Sequence, residues 1–137
     1  MGWGFWPFLT PVVGACHAVI TSGLMQRHPG LRIGFIEASG SWLPRVIKDI
    51  WRRAEGRKLP EHFLEALRLL VTCSTSDDIG YMTQQAGAGV LMIGTAYGRQ
   101  DMSVELDAMR TLGERGALDP VVAQKIVDEN PRALYGL

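Results

Sequence analysis

The sequence predicts an α/β fold with about three parallel strands and flanking helices. Two observations lead to this prediction. Short apolar runs alternate along the chain with segments whose apolar residues recur at helical spacing. The apolar runs show little polar alternation, which is typical of strands that are covered on both faces. Alternating units of this size connect through right-handed crossovers, and such crossovers build parallel sheets.

The first half of the chain predicts two helices and one strand. Residues 11–27 are predicted as a helix, because Pro11 suits a first helical position and apolar residues follow at helical spacing. Residues 31–37 are an apolar run rich in isoleucine and phenylalanine, and we predict a strand there. Ser41 is a candidate N-cap for a second helix at residues 42–53, because its hydroxyl can accept a hydrogen bond from an early backbone N–H.

The second half of the chain continues the alternation. Strands are predicted at residues 67–73 and 90–94, and the first of them follows a helical turn at residues 60–66. Helices are predicted at residues 78–86, with Ser76 or Asp77 as its cap, and at residues 102–113, with Ser103 as its cap. Asp119 and Pro120 then open a final helix that is predicted to end near residue 129.

Charge and composition narrow the class of function. The 14 basic and 14 acidic residues cancel, so no net field would recruit nucleic acid or an anionic membrane. No stretch approaches the ~20 apolar residues of a membrane span. Cys16 and Cys73 lie far apart, form no Cys-x-x-Cys pair and have the character of small buried hydrophobic residues. We therefore expect no nucleic-acid or membrane partner, and a reducing, cytoplasmic setting.

Polar side chains follow the ends of the predicted strands. Glu37 ends the first strand, while Arg99 and Asp101 come soon after the third. Because the carboxyl ends of parallel strands meet at one edge of a sheet, these three residues are predicted to line a shared polar mouth. Glu37 is a candidate ligand or general base, Arg99 a candidate for binding a substrate carboxylate, and Asp101 a candidate for orienting a substrate.

Each of these candidates also has a structural interpretation. The carboxylate of Glu37 is equally suited to pairing with Arg99 or to capping the helix at residues 42–53. Arg99 is suited to pairing with Glu37 or with Asp101, and Asp101 to capping the helix that follows it. The sequence leaves these alternatives open.

Four segments together carry a family resemblance. They are RHPGLRIGFIEA at residues 27–38, GSWLP at 40–44, IGTAYG at 93–98 and the ending DENPRALYGL at 128–137. With these segments in this order, the sequence resembles the carboxyl-terminal half of the amidohydrolase-related family. That family holds metal-dependent hydrolases and decarboxylases related to aminocarboxymuconate-semialdehyde decarboxylase. The resemblance covers roughly residues 6–137. It implies that residues 1–137 form a single domain, part of a (β/α)8 TIM-type barrel.

The resemblance also implies a reaction, namely metal-dependent hydrolysis or non-oxidative decarboxylation of a small organic acid with a divalent, zinc-type metal. Several positions depart from the family pattern. No His-x-His motif is present, and Trp6 and Arg99 stand where the family has histidines. Ala96 stands where the family has an aspartate that is both a metal ligand and the catalytic base. A catalytic metal needs about three protein ligands, so we expect this chain alone to bind no metal and to be inactive.

Two further interpretations follow from these departures. The chain is suited to a non-catalytic role, as a degenerate barrel fragment that binds a partner or associates with a second copy of itself. Alternatively, Met1 is an internal methionine of a longer reading frame that supplies the missing histidines upstream.

Overall fold

The computed structural model describes residues 5–54, 56, 59–95, 107, 111–112 and 118–137. Its centre is a three-stranded parallel sheet in the order β1–β2–β3. The strands are β1 (Ile33–Phe35), β2 (Leu69–Cys73) and β3 (Leu91–Ile93). The register pairs Phe35 with Val71 and Val71 with Leu91. The predicted parallel sheet with flanking helices is therefore confirmed.

Helices occupy most of the remaining described chain. They are α1 (Phe5–Thr21), α2 (Leu24–Arg27), α3 (Leu43–Arg53), α4 (Phe63–Ala66) and α5 (Ile79–Ala86). A 3₁₀ turn, Ala88–Val90, leads into β3. The chain then ends in α6 (Pro120–Gln124), a π-helical turn (Lys125–Glu129) and α7 (Asn130–Tyr135), which together form one final helical segment. No helix within the described ranges is both long enough and apolar enough to cross a membrane.

The first helix differs from its prediction at both ends. It begins at Phe5, so Pro11 lies inside the helix and not at its first position. Pro11 removes the bond that its missing N–H would donate to the carbonyl of Pro7, and its ring crowds that carbonyl, which lies in the first turn of the helix. The helix ends at Thr21 because Gly23 adopts a left-handed φ of 70°, and α2 starts anew after it.

The start of α3 also differs from its prediction. Trp42, not Ser41, is the N-cap residue, and it makes no capping bond with its side chain. Leu43 donates its backbone N–H to the carbonyl of Gly40 at 2.9 Å, and the Trp42 indole Nε1 donates to the carbonyl of Ala38 at 3.0 Å. The buried indole also meets the Phe35 ring edge-on at 6.3 Å between centroids. This turn is therefore held by backbone bonds and aromatic packing, and not by a serine cap.

The caps of the later helices follow the expected chemistry, with one change of residue. Asp78, rather than Ser76 or Asp77, caps α5 by accepting a bond from the backbone N–H of Tyr81 at 3.0 Å. Asp119 caps the final segment as predicted, accepting from the N–H of Val121 at 2.7 Å. That segment runs beyond residue 129 to Tyr135, because the π-helical turn continues the helix into α7. The helix predicted at residues 102–113 lies largely outside the described residues. Of this segment the structure describes residues 107, 111 and 112, and Thr111 and Leu112 are helical.

The two faces of the sheet have different partners. Alternation along the strands puts Phe35, Val71 and Ile93 on one face, and these side chains belong to the same core cluster as buried residues of α1, α3 and α5. Gly34 lies on the opposite face, where a Cβ added to it would come within 2.7 Å of Leu134 Cδ2 in α7. The absence of a side chain at Gly34 therefore allows α7 to pack directly on the sheet.

Asn130 joins α7 to the start of β3. It is buried, and its Nδ2 donates to the carbonyls of Ala88 at 2.7 Å and Leu91 at 2.6 Å. A buried amide of this kind satisfies two carbonyls that would otherwise need water. The final helical segment is therefore fixed in register against β3.

Candidate functional site

The candidate site lies where the three strands end. Glu37 follows β1 by two residues, Ser74 follows β2 directly, and Gly94 and Thr95 follow β3. Because the strands are parallel and in register, these segments leave the sheet at the same edge. In α/β proteins with parallel strands, this edge is where ligands bind and reactions occur.

Thr72 contacts the ends of both neighbouring strands. Its Oγ1 accepts a hydrogen bond from the backbone N–H of Glu37 at 2.8 Å and donates one to the carbonyl of Phe35 at 3.3 Å. On the other side, a Cβ added to Gly94 would lie 3.1 Å from Thr72 Cγ2. Glu37 and Gly94 therefore flank the same buried threonine, at one end of the molecule.

The backbone of Glu37 is held in an uncommon conformation. Its φ is 61°, in the left-handed region that non-glycine residues rarely adopt, and Ser39 two residues later has a φ of 52°. Such conformations cost roughly 1–3 kcal/mol and persist only where the surroundings enforce them. Glu37 as a residue is exposed to solvent at this edge.

Asp77 joins the loop after β1 to the loop after β2. Its carboxylate accepts hydrogen bonds from Ser39 Oγ at 2.8 Å, from the Gly40 N–H at 3.1 Å and from the Ser74 N–H at 2.9 Å. The sequence suggested Asp77 as a candidate cap of the helix at residues 78–86. The structure instead gives its carboxylate the role of a cross-link between two loops of the site.

Arg99 and Asp101, the other two predicted site residues, lie outside the described residues, as does Ala96. Their roles stay predictions. Of the three predicted site residues, the structure therefore describes Glu37 alone, at the strand ends.

The histidines lie away from the strand ends. His17 on α1 brings its Nε2 to 3.3 Å from Asp49 Oδ2 on α3, without hydrogen-bond geometry. The Asp49 carboxylate accepts hydrogen bonds from Arg53 and Arg52. These bonds, with that of Arg53 the stronger influence, lower the pKa of Asp49 below the usual 3.8. His62 precedes α4, at the amino-terminal side of β2, and its Nδ1 is a buried atom with no hydrogen-bond partner in the described part of the chain.

The described residues do not fit a catalytic metal. Across the ranges that the structure describes, no group of three or more His, Cys, Asp or Glu side chains could hold an ion. Among the described residues at the strand ends, Glu37 contributes one carboxylate, and both oxygens of Asp77 already accept hydrogen bonds. This is fewer than the three or so protein ligands that a catalytic zinc requires.

Thr72 and Ser39 were missed by the sequence analysis. Thr72 had a detectable signal, because it is the one hydroxyl residue in the apolar run at residues 69–73 and a buried hydroxyl must find a partner. Ser39 had none, since serine in a loop after a strand is common and its left-handed backbone is not encoded by its type.

Comparison with known proteins supports this geometry at the level of the fold. No protein-family model and no curated protein matches the sequence. Among solved structures, an amidohydrolase from Mycobacterium avium subsp. paratuberculosis K-10 is similar over 91% of this chain, with a TM-score of 0.72 and 19% sequence identity. The chain spans about a third of that protein, 34% of its length. The fold is therefore amidohydrolase-like and corresponds to part of a (β/α)8 TIM-type barrel, as predicted.

Both faces of this sheet contact helices. The Phe35 face shares its core cluster with α3 and α5, and α7 packs on the Gly34 face. Thr72 lies on the Gly34 face of β2, next to the strand ends.

Proposed function

We propose that this chain supplies the Glu37 side of a small-organic-acid site in an amidohydrolase-related hydrolase or decarboxylase. The proposal includes residues 1–137 as one domain, the carboxyl-terminal half of the barrel. The observation that carries it is the bond from the Glu37 N–H to Thr72 Oγ1, which fixes Glu37 at the carboxyl ends of the strands. Active sites of (β/α)8 barrels are built at that end.

Each proposed residue has a chemical role. The exposed carboxylate of Glu37 is suited to accepting or returning a proton during hydrolysis or loss of carbon dioxide. An organic acid needs a cationic partner, and the guanidinium of Arg99 is the proposed one, because it binds carboxylates with two parallel bonds. Asp101 is proposed to orient the substrate.

The proposed reaction needs a divalent metal, and this chain does not supply a full set of ligands for one among its described residues. In complete relatives a zinc-type ion would activate water or polarise the substrate. Here the described residues do not fit the ion, and the methyl group of Ala96 can neither coordinate it nor take a proton. We therefore propose that residues 1–137 alone do not catalyse the reaction.

The test uses the purified chain with added zinc. Bound metal is measured after dialysis, and turnover is measured on a panel of esters, amides and small carboxylic acids. We expect no stoichiometric zinc and no turnover above that of zinc alone. Zinc-dependent turnover that Glu37→Gln abolishes, while the exposed control Glu61→Gln retains it, would contradict the proposed inactivity and would place the reaction on Glu37.

A second candidate function is self-association, which the β1 side of the sheet favours. Among the described strands none pairs with the outer edge of β1, and Ile36 just beyond it is 43% exposed. Unpaired strand edges are templates for pairing with another chain. The proposed partner is a second copy of this chain.

Light scattering over a range of protein concentrations tests this second candidate. We expect dimers whose formation is weakened by Ile36→Lys, because a charge opposes pairing at an edge. Val121→Lys, at a residue that is 73% exposed on the final helical segment, is the matched control and should leave association unchanged. A monomer at every concentration, with cooperative unfolding, would exclude self-association.

A cytoplasmic location is also proposed. Cys16 and Cys73 are both buried and form no disulfide, and unbridged thiols are usual in reducing compartments.

A further inference from the structure

The carboxylate of Asp77 is surrounded by donors from two different loops. Oδ1 accepts from Ser39 Oγ at 2.8 Å, and Oδ2 accepts from the N–H groups of Gly40 at 3.1 Å and Ser74 at 2.9 Å. Ser39 and Gly40 belong to the loop after β1, whereas Ser74 belongs to the loop after β2. We name these three residues the carboxylate seat.

The seat has the chemistry of an anion site. Two backbone N–H groups and one hydroxyl converge on one carboxylate, and bonds of this type to an ionised acceptor are about twice as strong as neutral ones. The two amides come from different loops, so the carboxylate links Gly40 to Ser74 across the gap between the loops.

The donors are held in place by the core as well as by Asp77. Gly40 is buried, and a Cβ added to it would lie 2.3 Å from Met82 Cε and 3.4 Å from Cys73 Cβ. Its amide is therefore fixed against α5 and the end of β2. Ser74 directly follows β2, whose five residues are all buried. Removing the Asp77 side chain would thus take away the acceptor that the Gly40 and Ser74 N–H groups share with Ser39 Oγ, which also lies 3.2 Å from Ser41 Oγ.

We propose that the carboxylate seat is a binding site for a small monocarboxylate, which Asp77 fills from within the chain. When the Asp77 carboxylate is removed, free formate takes its place and restores the link between the two loops. The inference stands apart from the proposed function, because Glu37, Arg99, Asp101 and a metal take no part in it.

The experiment measures the stability of Asp77→Ala in sodium formate and in sodium chloride of equal ionic strength. Losing three bonds to a charged acceptor should lower the folding equilibrium constant by about tenfold or more. Formate should then raise the folding equilibrium constant by a factor of 1 + [formate]/Kd, where Kd is the dissociation constant of formate from the folded variant. Chloride should not, and backbone amide signals of Gly40 and Ser74 should shift with formate over the same concentration range.

The matched control is Asp78→Ala, which removes the neighbouring carboxylate that caps α5 and accepts one bond from Tyr81. Asp78→Ala should lose stability, and formate should not restore it. The wild type should gain no more stability in formate than in chloride. Equal effects of formate and chloride on Asp77→Ala, or unchanged stability of that variant in water, would overturn the proposal.

A second variant decides the outcome if Asp77→Ala does not fold in water. Formate alone should then restore its folded spectrum. Should it stay unfolded in formate, Asp77→Asn is measured, because it keeps the shape and loses the charge. Stability of Asp77→Asn below that of the wild type, with the amide signals of Gly40 and Ser74 displaced from their wild-type positions, supports the seat; stability equal to the wild type overturns it.

Discussion

The hydroxyl of Thr72 accepts the backbone N–H of Glu37 at 2.8 Å and so connects the middle strand to the turn that carries the candidate carboxylate. The same oxygen donates to the Phe35 carbonyl at 3.3 Å. One buried side chain on β2 thus determines where the chain turns after β1. The position of Glu37 therefore depends on a side chain of the neighbouring strand.

Replacing Thr72 by valine should loosen this turn. Thr72→Val keeps the shape but leaves the Glu37 N–H and the Phe35 carbonyl without the hydroxyl, so we expect a loss of about 1–3 kcal/mol in unfolding free energy. Hydrogen exchange of the Glu37 amide should become faster. The control is Thr72→Ser, which keeps the hydroxyl and should retain the protection of that amide. Unchanged exchange in Thr72→Val would show that the bond does not hold the turn.

Adding a methyl group to Gly34 should disturb the packing of α7. The new Cβ would lie 2.7 Å from Leu134 Cδ2, so Gly34→Ala should cost about 1–3 kcal/mol through overpacking. Leu134→Ala shortens the side chain that the new methyl group would meet. The double variant should therefore lose less unfolding free energy than the sum of the losses of the two single variants. Chemical denaturation of the single and double variants measures this coupling. Strict additivity would mean that the two residues do not meet.

Removing the Asn130 amide should expose two buried carbonyls. Asn130→Ala leaves the Ala88 and Leu91 carbonyls without their donor, and we expect a cost of about 1–3 kcal/mol or more in unfolding free energy. The measurement is chemical denaturation at neutral pH. The exposed control Gln124→Ala, six residues earlier in the same helical segment, should change stability little.

The variant Asn130→Asp adds a pH dependence of known sign. Its carboxylate would face two carbonyl oxygens in the folded state, which disfavours the charged form and raises the folded pKa. Stability is then fully present below the unfolded pKa of about 4 and is lost as pH rises through the folded value. Unfolding midpoints from pH 3 to 7, set beside those of Asn130→Ala, measure the loss. A variant as stable at pH 7 as at pH 3 would contradict the predicted contact.

The cluster around Asp49 should contribute an opposite pH dependence. Hydrogen bonds from Arg53, and then Arg52, lower the pKa of Asp49 below 3.8. Its contribution to stability is therefore present above that value and is lost as pH falls through the lowered folded value. The contribution is small, because the ion pairs are on the surface.

The variant Asp49→Asn tests this sign. It should be slightly less stable than the wild type at pH 7 and equal to it well below pH 3.8, by thermal unfolding at low salt. Asp128→Asn, which breaks a single ion pair with Arg132 on the final helical segment, is the matched control. A difference between wild type and Asp49→Asn that persists unchanged at low pH would exclude the electrostatic origin.

Much of the fold could be predicted because local signals agreed with the tertiary structure. The run LLVTC at residues 69–73 is apolar throughout, and β2 is buried at every position. Asp119 and Pro120 start the final helix as their chemistry predicts. By contrast, Pro11 suggested a helix start that the structure does not use. The helix α1 continues on both sides of Pro11, because the preference of a single residue is a weak signal that its surroundings can override.

The candidate site was predicted less completely because its positions depend on contacts between distant residues. The structure puts Glu37 at the strand ends, where the parallel arrangement predicted it. Thr72 lies 35 positions away in sequence from Glu37, and Asp77 lies 37 from Gly40. No local pattern encodes which hydroxyl meets which amide at such separations. Arg99 and Asp101 lie outside the described residues, so their roles stay predictions.

The sequence by itself determined the alternation of apolar strands and helices, and with it the parallel α/β sheet. It also determined that an alanine stands at position 96, and its methyl group can neither bind a metal nor take a proton. Only the tertiary structure decided that Asp77 is bonded across two loops, that Asn130 fixes the final helix to β3, and that Glu37 is held in a left-handed turn. The reason is physical: hydrophobic periodicity acts over a few residues, whereas hydrogen bonds between loops form only after the sheet has brought their partners together.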